Sequence, residues 1–285
     1  MTLKVLLKSA QQFIRASSSA SSGEALIEAR LLLQQALGVN HAWLVAHMDD
    51  ELTDAQSESF QQLLSRRLAG EPVAYILGMR EFYGLPLKTT PATLIPRPDT
   101  ETLVEAALAK LPQDKALKVL DLGTGTGAVA LAIAQNRPNA QVTAVDFSEE
   151  ALSVAQENAQ NLGLARVRLM QSDWFSGLQG ENFDVIVSNP PYIAENDAHL
   201  KQGDLRFEPI TALASGEDGL DDIRRIIQEA PNYLNPNGWL MLEHGYDQAE
   251  KVAELLNQHG FSQINHAPDL AGIQRVTFGQ SLRSC

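Results

Sequence analysis

A short apolar run followed at once by a glycine-rich loop and a helix constrains the fold of this chain more than any other feature. The run Val119-Leu120-Asp121 is typical of a buried strand, the next six residues are Leu-Gly-Thr-Gly-Thr-Gly, and helical spacing begins at Ala128. Glycines let the backbone turn tightly and approach a ligand closely, and a helix N-terminus presents free N–H groups. The segment therefore predicts a ligand-binding turn in an α/β fold.

Strand and helix patterns alternate from Thr100 onward. Apolar runs predict strands at 118–121, 141–146, 167–171, 183–188 and 239–243, with two further extended stretches that end near Phe278. Helical spacing covers 101–110, 128–135, 149–161, 220–233 and a later segment around Val252. Such alternation predicts a parallel sheet with helices on its faces.

The first 80 residues show helical spacing only. Capping boxes at Ser21–Glu24 and Thr53–Gln56 begin two amphipathic segments. Four prolines between residues 80 and 99 then interrupt any helix. We therefore expect a small helical domain at 1–80, a linker with a candidate β-hairpin at 81–99, and a third part at 100–285 that contains the glycine loop.

The charge balance bears on the class of partner. The chain has 35 acidic and 22 basic residues, a net charge of −13. Residues 1–95 hold 9 of the acidic and 8 of the basic residues, so the remaining 26 acidic and 14 basic residues carry −12. Gripping a nucleic-acid duplex requires a basic surface, so this balance favours a protein partner.

Other features of the composition exclude further classes. The chain has no run of about 18 apolar residues, so we expect no membrane span, and the N-terminal residues lack the pattern of a secretory signal. The only cysteine, Cys285, excludes an intramolecular disulfide and a cysteine-based metal site, and the six histidines lack ligand-like spacing. We expect a cytoplasmic protein that binds no metal.

The residue types at the glycine loop leave two cofactor classes open. Gly123, Gly125 and Ala128 also satisfy the dinucleotide fingerprint G-x-G-x-x-A, so the loop alone does not separate NAD from other adenosine cofactors. Asp121 stands two residues before the first glycine, where an anion suits a cationic ligand group better than a pyrophosphate. Its position favours a positively charged cofactor.

Two residues at the ends of the following strands are candidates for binding the adenosine part of a cofactor. Asp146 closes its strand 25 residues after Asp121, where an acid can accept two hydrogen bonds from a ribose diol. Its alternative role is the N-cap of the helix that begins near Glu149. Trp174 follows the next strand and either anchors the core or lies against the adenine ring.

The tetrad Asn189-Pro190-Pro191-Tyr192 follows the apolar strand 183–188, where open α/β sheets place their ligands. The prolines hold the chain extended and leave their carbonyls free to accept, while Asn189 offers a donor and an acceptor. A planar –NH₂ group could donate to the Asn189 side-chain oxygen and to the Pro190 carbonyl, with Tyr192 on its face. The nitrogen lone pair would then point out of the plane, toward an electrophile.

Together these residues resemble a class I S-adenosylmethionine-dependent methyltransferase. The segment Asp121–Gly127 is similar to the first motif of that class, Asp146 is similar to the second, and the tetrad marks the branch that methylates planar nitrogens. The match extends over essentially the whole chain, including Ile95–Glu101 and Asp269–Gly272. The sequence is similar to the release factor glutamine methyltransferase family (PrmC/HemK).

This resemblance implies a fold and an activity. The fold is α/β, a Rossmann-like class I methyltransferase domain with a seven-stranded, mostly parallel sheet, preceded by a small all-α domain that recognises the substrate. The activity is methyl transfer from S-adenosyl-L-methionine, which becomes S-adenosyl-L-homocysteine, to the side-chain N5 of the glutamine in the Gly-Gly-Gln motif of bacterial class 1 peptide chain release factors. We expect a monomer that contacts neither nucleic acid nor membrane.

The resemblance also assigns site residues. The expected cofactor-binding residues are Asp121, Gly123, Thr124, Gly125, Thr126, Gly127, Asp146, Trp174 and Asn189. The expected substrate-binding residues are Asn189, Pro190, Pro191 and Tyr192, of which Asn189, Pro190 and Tyr192 are the catalytic candidates.

Three other functions stay open at this point. A methyltransferase of exocyclic amines of adenine or guanine in nucleic acid would use the same tetrad, although the acidic charge speaks against it. A NAD-dependent oxidoreductase would use the glycine loop and leave the tetrad unexplained. A non-catalytic binding module would have no need of an intact loop, Asp146 and tetrad.

Overall fold

The computed structural model describes residues 1–18 and 20–282, so Cys285 lies outside the described residues. The chain divides into two compact units. Unit 1 comprises Met1–Met79 and Lys201–Phe207, and unit 2 comprises Arg80–Leu200 and the chain from Glu208 onward. Within the described ranges, no helix combines the length and apolar character needed to cross a bilayer.

Unit 1 is helical. Its helices in the described ranges are α1 (Leu3–Ser17), α2 (Ser22–Leu37), α3 (His41–Ala46), α4 (Asp54–Leu68) and α5 (Val73–Leu77). Both predicted capping boxes are confirmed. The side chains of Ser21 and Thr53 each accept from the backbone N–H three residues later, and the side chain of that later residue accepts from the backbone N–H of the cap. The apolar stripes of α1, α2 and α4 meet in one core that includes Ile14, Leu33 and Phe60.

The segment Lys201–Phe207 is remote in sequence from the rest of unit 1, and an ion pair between its partly exposed Asp204 and the buried Arg67 joins it to α4. The Arg67 guanidinium lies 2.8 Å from Glu28 and 3.4 Å from Asp204. A buried charge is stable only when its hydrogen bonds are satisfied, so these two carboxylates fix both Arg67 and the segment.

A hairpin of β1 (Met79–Phe82) and β2 (Leu85–Lys88) follows unit 1. Phe82, Leu85 and Leu87 of this hairpin are buried in a core cluster of unit 2. The segment 81–99, which the sequence predicts as a linker, therefore lies within unit 2.

The remaining elements of unit 2 alternate as the sequence predicts. The helices are α6 (Glu101–Lys110), α7 (Ala128–Asn136), α8 (Glu149–Asn161), α9 (Asp221–Glu229) and α10 (Ala249–Gln258). The strands are β3 (Lys118–Leu122), β4 (Gln141–Asp146), β5 (Arg168–Gln171), β6 (Phe183–Ser188), β7 (Leu234–Glu243), β8 (Phe261–Pro268) and β9 (Gln274–Ser281). The helix expected over 220–233 ends early, at Glu229, because Pro231 breaks the hydrogen-bond ladder and a short 3-10 turn follows.

The strands form one sheet in the order β5-β4-β3-β6-β7-β9-β8. All pairs are parallel except the two that involve β9, so the expected seven-stranded, mostly parallel sheet is confirmed. Successive residues of β3 face opposite sides: Val119 packs into the core cluster with α6 and α7, and Leu120 into the cluster with α9 and α10. The strand order reverses between β3 and β6, which opens a crevice at their carboxyl ends.

Candidate active site

The glycine loop follows β3 and turns the chain into α7. Backbone N–H groups fix it against the neighbouring strand: those of Gly123 and Thr124 both donate to the Val145 carbonyl at 2.9 Å. The Gly125 N–H donates to Asp146 Oδ2 at 2.8 Å. The loop is therefore held mainly by its own backbone, and it is tied directly to the acid at the end of β4.

All three glycines of this loop have a left-handed φ, and Gly127 and Gly125 differ in what surrounds them. Gly127 has a φ of 83°, and a Cβ there would lie 3.0 Å from the Leu131 side chain and 3.4 Å from Ala155. Gly125 has a φ of 55°, which disfavours other residues, but a Cβ there would meet no atom of the described residues within 4 Å. Gly127 is thus needed for packing, whereas Gly125 borders open space.

Asp121 lies beneath the loop rather than in the open. Its side chain is buried and accepts hydrogen bonds from the Thr124 hydroxyl at 2.6 Å and the Ala130 N–H at 3.3 Å. Burial raises the pKa of the Asp121 carboxyl to about 7. Thr126 is buried as well, and its carbonyl accepts from the Asn158 side chain at 2.9 Å. These residues support the loop and the first turn of α7 from inside.

Asp146 ends β4 at the mouth of the loop. Its two carboxylate oxygens accept from the N–H groups of Ser148 and Gly125, at 2.9 and 2.8 Å. Burial raises the pKa of the Asp146 carboxyl. The N-cap of α8 is Ser148, whose hydroxyl accepts from the Ala151 N–H at 3.2 Å, so Asp146 is not the helix cap that the sequence left open.

Trp174 is held by a side chain from α9. Its indole N–H donates to Asp222 Oδ1 at 3.2 Å, and Asp222 Oδ2 accepts from the Ser215 hydroxyl at 2.7 Å. The ring lies over Gly123, where a Cβ would come within 3.4 Å of a ring carbon. Trp174 has a left-handed φ of 48°, an unfavourable conformation for a bulky residue. The contacts thus fix an aromatic face beside the glycine loop.

The tetrad begins directly after β6. The Asn189 side chain is half-buried, and its Nδ2 donates to the Thr100 hydroxyl oxygen at 3.1 Å. Pro190 is buried and Pro191 is half-buried. The preceding Ser188 is buried in the sheet and donates to the Leu122 carbonyl at 2.8 Å, which joins the start of the tetrad to the end of β3.

Tyr192, the last residue of the tetrad, turns toward the end of β7. Its hydroxyl donates to Glu243 Oε1 at 3.3 Å, and its carbonyl accepts from the Gln248 side chain at 3.0 Å. Burial, and secondarily the charge of Glu243, raise the pKa of the Tyr192 phenol. The Tyr192 phenol is therefore protonated, and the two hydrogen bonds of Tyr192 fix this end of the tetrad against β7 and Gln248.

A cavity of about 580 Å³ lies in unit 2 at the carboxyl ends of β3, β4 and β6. The expected site residues that line it are Gly123, Gly125, Asp146, Trp174, Asn189 and Pro191. Within the described part of the chain, the expected residues outside its lining are Asp121, Thr124, Thr126, Gly127, Pro190 and Tyr192. The cavity thus brings the glycine loop, the strand-end acid and the tetrad asparagine to one space.

The charge of this cavity is acidic. The carboxylates along its lining, as far as the structure describes it, are those of Asp146, Glu150, Asp173 and Asp222. The arginine among the described lining residues, Arg225, is paired with Asp173 at 2.8 Å. Such a lining attracts a cationic ligand and repels a pyrophosphate, so it speaks against the NAD alternative.

Comparisons with known proteins agree with this geometry. A family model described as "Methyltransferase domain" matches residues 113–275, and one described as "PrmC N-terminal domain" matches residues 6–78. The release factor glutamine methyltransferase of Bordetella pertussis is 52% identical over 261 residues, which cover 91% of this chain and 96% of that protein. The protein of the same name from Vibrio cholerae is 48% identical over 281 residues, which cover 98% and 97%.

This chain belongs to the release factor glutamine methyltransferase family. The resemblance inferred from its motifs is therefore confirmed. A solved methyltransferase from Pyrococcus furiosus has the same fold, with a TM-score of 0.53 and 22% identity over 79% of this chain and 100% of that one. At that identity the likeness concerns the fold alone.

Some site residues of this family member were not predicted from its sequence. Phe147 lines the cavity directly after Asp146 and is 73% exposed, and a large apolar residue after a strand-ending acid is a signal that could have been used. Thr100, Asp222 and Glu243 hold predicted site residues that lie 48 to 89 positions away in the sequence. Thr100 lies within the segment Ile95–Glu101 that carries the family resemblance, whereas no local pattern marks Asp222 or Glu243.

Proposed function

We propose that this chain transfers the methyl group of S-adenosyl-L-methionine to the side-chain N5 of the glutamine in the Gly-Gly-Gln motif of bacterial class 1 peptide chain release factors. The observation that carries the proposal is that Asn189 lines the same cavity as Gly125 and Asp146. Direct methyl transfer needs donor and acceptor in one space. The names of the family members from Bordetella pertussis and Vibrio cholerae support the same substrate.

The residues present fit the proposed cofactor. S-adenosylmethionine supplies an electrophilic methyl group on a positively charged sulfonium. The acidic lining favours that charge, and the Asp146 carboxylate, already anchored by two backbone N–H groups, keeps lone pairs for a ribose diol. Trp174 and Phe147 offer aromatic surfaces in the same cavity for a purine ring.

The tetrad supplies the contacts to the substrate amide in this proposal. An amide nitrogen is a poor nucleophile because its lone pair is delocalised into the carbonyl, so its orientation must contribute much of the rate. The Asn189 oxygen and the Pro190 carbonyl would each accept one hydrogen of the –NH₂ group and stabilise positive charge that develops on its nitrogen. Tyr192, which lies outside the cavity lining and whose hydroxyl is held by Glu243, would support the tetrad from the side away from the substrate.

Unit 1 is proposed to recognise the substrate protein. Among the described residues, the cavity is lined by unit 2 alone, so recognition of a large substrate needs further surface. A chain that begins at Arg80 should keep cofactor affinity and lose most of its activity on intact release factor, measured by label transfer. The shortened chain should not begin as late as Thr90, because that would remove the hairpin residues Phe82, Leu85 and Leu87 from the core of unit 2. Full activity of the shortened chain would show that unit 1 is dispensable.

The test of the proposed function is label transfer to a defined atom. The full chain is incubated with radiolabelled S-adenosylmethionine and purified release factor, and the Gly-Gly-Gln peptide is examined by mass spectrometry. We expect one methyl group on the glutamine side chain. A release factor with that glutamine changed to asparagine is the matched control and should take up no label.

Two outcomes would contradict the proposal. Label that persists on the glutamine-to-asparagine factor would place the methyl group elsewhere in the protein. Label that appears in RNA or DNA, with a steep inverse dependence on salt, would instead support a methyltransferase of nucleobase amines. The net charge of −12 beyond residue 95 argues against that second result.

A further inference from the structure

Glu243, the last residue of β7, is a buried carboxylate that lies outside the cavity lining. Its side chain is 1% exposed, and its Oε2 atom is buried without a hydrogen-bond partner in the part of the chain that the structure describes. Burying an acid in this way is costly, and native proteins keep few such atoms. A buried carboxylate kept at this cost calls for a role beyond packing.

Those contacts form a chain of hydrogen bonds that ends at the tetrad. The Tyr192 hydroxyl donates to Glu243 Oε1 at 3.3 Å, and a hydrogen bond from the Thr100 side chain is among the causes that lower the pKa of the Glu243 carboxyl. The Thr100 oxygen in turn accepts from Asn189 Nδ2 at 3.1 Å. Thr100 is itself buried, at 4% exposure, so water does not compete easily for its bonds.

When Glu243 is ionised, only one arrangement of hydrogens satisfies this series of hydrogen bonds. A carboxylate only accepts hydrogen bonds, so the Thr100 hydroxyl must donate its single hydrogen to Glu243. The Thr100 oxygen can then only accept, and it accepts from the –NH₂ end of the Asn189 amide. The opposite end of that amide, Oδ1, is left for the cavity that Asn189 lines.

We propose that Glu243 is a positioning residue that, through Thr100, fixes the Asn189 amide with its oxygen toward the substrate –NH₂ group. What that oxygen accepts rests on the proposed function, but the orientation itself does not. A reversed Asn189 amide would present its own –NH₂ to the substrate –NH₂, which places two donors face to face.

Protonation of Glu243 would remove this constraint. The protonated acid can donate to Thr100, whose hydroxyl can then donate to Asn189 Oδ1, so the amide is free to reverse. Burial is the main effect and raises the pKa of the Glu243 carboxyl to about 7, while hydrogen bonds from Thr100 and Tyr192 lower this pKa. Of the nearby charges, Asp99 raises the pKa and Arg275 lowers it. The fixed orientation is therefore present above this pKa and is lost as the pH falls through it.

The first test reads the orientation without any turnover. The chain is labelled with ¹⁵N-asparagine, and the side-chain NH₂ signal that disappears in Asn189→Ala is followed from pH 5.5 to 8.5, roughly 1.5 units to either side of the neutral midpoint. We expect this signal to titrate near pH 7 in the unmodified chain and to stay constant in Glu243→Gln. Burial also raises the pKa of the Asp121 carboxyl to about 7, so an unchanged titration in Glu243→Gln would exclude Glu243 as its source and overturn the proposal.

The second test uses the hydroxyl of Thr100. Thr100→Val keeps the shape and removes the hydrogen bonds, and Thr100→Ser keeps the hydroxyl. We expect Thr100→Val to lower kcat on release factor roughly 10- to 100-fold, the usual size for a residue that orients another. Affinity for S-adenosylhomocysteine should stay unchanged, and Thr100→Ser should recover most of the rate. Circular dichroism of each variant checks that it is folded.

A double-mutant cycle decides whether Thr100 acts through Asn189. In the Asn189→Ala background, Thr100→Val should cause no further loss, because the group it positions is gone. A fully additive loss, or a Thr100→Val variant as fast as the unmodified chain, would overturn the proposal. If the unmodified chain itself does not methylate release factor, the proposed function fails, and the NMR titration still decides the orientation.

Discussion

The two halves of the cavity are built in different ways. The glycine-loop half is held mainly by backbone groups, since the N–H groups of Gly123 and Thr124 donate to one carbonyl of β4 and that of Gly125 donates to Asp146. The tetrad half is held by side chains from distant elements. Asn189 Nδ2 donates to the Thr100 hydroxyl oxygen, and the Tyr192 hydroxyl donates to Glu243.

This difference predicts different failures. A change in the backbone-held half should weaken cofactor binding, because the loop itself forms the binding surface. A change in the half held by side chains should leave the cofactor in place and slow the reaction, because it alters only how the acceptor is oriented. Each variant below is measured for both properties, so that the two halves can be compared directly.

The largest effect is expected at Gly125. Gly125→Val should remove measurable binding of S-adenosylhomocysteine in calorimetry, because the side chain would enter the space beside the loop. The fold should survive, since a Cβ there meets no atom of the described part of the chain within 4 Å, at a cost of about 1–3 kcal/mol for the left-handed backbone.

Gly163→Val is the matched control for Gly125→Val. Gly163 also has a left-handed φ, of 68°, and open space around its Cβ, and it follows α8 away from the cavity lining. Both variants should lose similar stability in thermal unfolding, and only Gly125→Val should lose the cofactor. Normal affinity in a folded Gly125→Val would remove the loop from the site.

The next effect is at Asn189, on the other side of the comparison. Asn189→Ala should lower the rate of methyl transfer by about two to three orders of magnitude, the size seen when one preorganised transition-state partner is removed. Cofactor affinity should stay within a few fold. Asn139→Ala changes an exposed asparagine just before the amino end of β4, opposite the carboxyl ends where the cavity lies, and should change neither property. A parallel fall of affinity and rate in Asn189→Ala would contradict the division into halves.

How well each half could be predicted follows from the same difference. The glycine loop and Asp146 are local patterns at strand ends, and β4 and α8 begin and end where the sequence predicts. The partners of the tetrad are not local: Thr100 lies 89 positions before Asn189, and Glu243 lies 51 after Tyr192. Only the strand order of the folded sheet brings them together.

The placement of Lys201–Phe207 in unit 1 was also beyond prediction. The segment has no strong helical or strand period, and its anchor is a pairing of Asp204 with Arg67, 137 positions away. By contrast, the early end of α9 could have been foreseen, because Pro231 lies inside the predicted helix. Long-range polar pairing, rather than local propensity, accounts for most of what was missed.

Asp146 tests whether a side chain contributes to the backbone-held half. Asp146→Ala should weaken cofactor binding by about 1.5–3 kcal/mol, the range for hydrogen bonds with a charged group, or roughly 10- to 150-fold. Ser148→Ala is the control, because it removes the actual cap of α8 and should cost about 1 kcal/mol of stability without loss of affinity. Unaltered affinity in Asp146→Ala would confine this acid to a structural role.

The smallest effect is expected at Asp222. This residue holds Trp174, which belongs to the glycine-loop half of the cavity although a side chain rather than the backbone fixes it. Asp222→Asn keeps one acceptor but cannot accept from both Trp174 and Ser215, so cofactor affinity should fall by about 0.5–1.5 kcal/mol, roughly 2- to 10-fold. The neighbouring Asp221 is exposed and pairs with Arg224, so Asp221→Asn removes the same charge without touching the cavity.

The two aspartate variants separate positioning from charge. If Asp222 acts by holding the indole, Asp222→Asn should have no further effect in a Trp174→Phe background, which lacks the N–H that donates to it. If Asp222 acts through its negative charge in the acidic lining, the loss should persist in that background and should shrink at high salt. Affinity for S-adenosylhomocysteine, measured at two salt concentrations, distinguishes these results. An equal loss in Asp221→Asn would show that neither account holds, because that side chain does not line the cavity as the structure describes it.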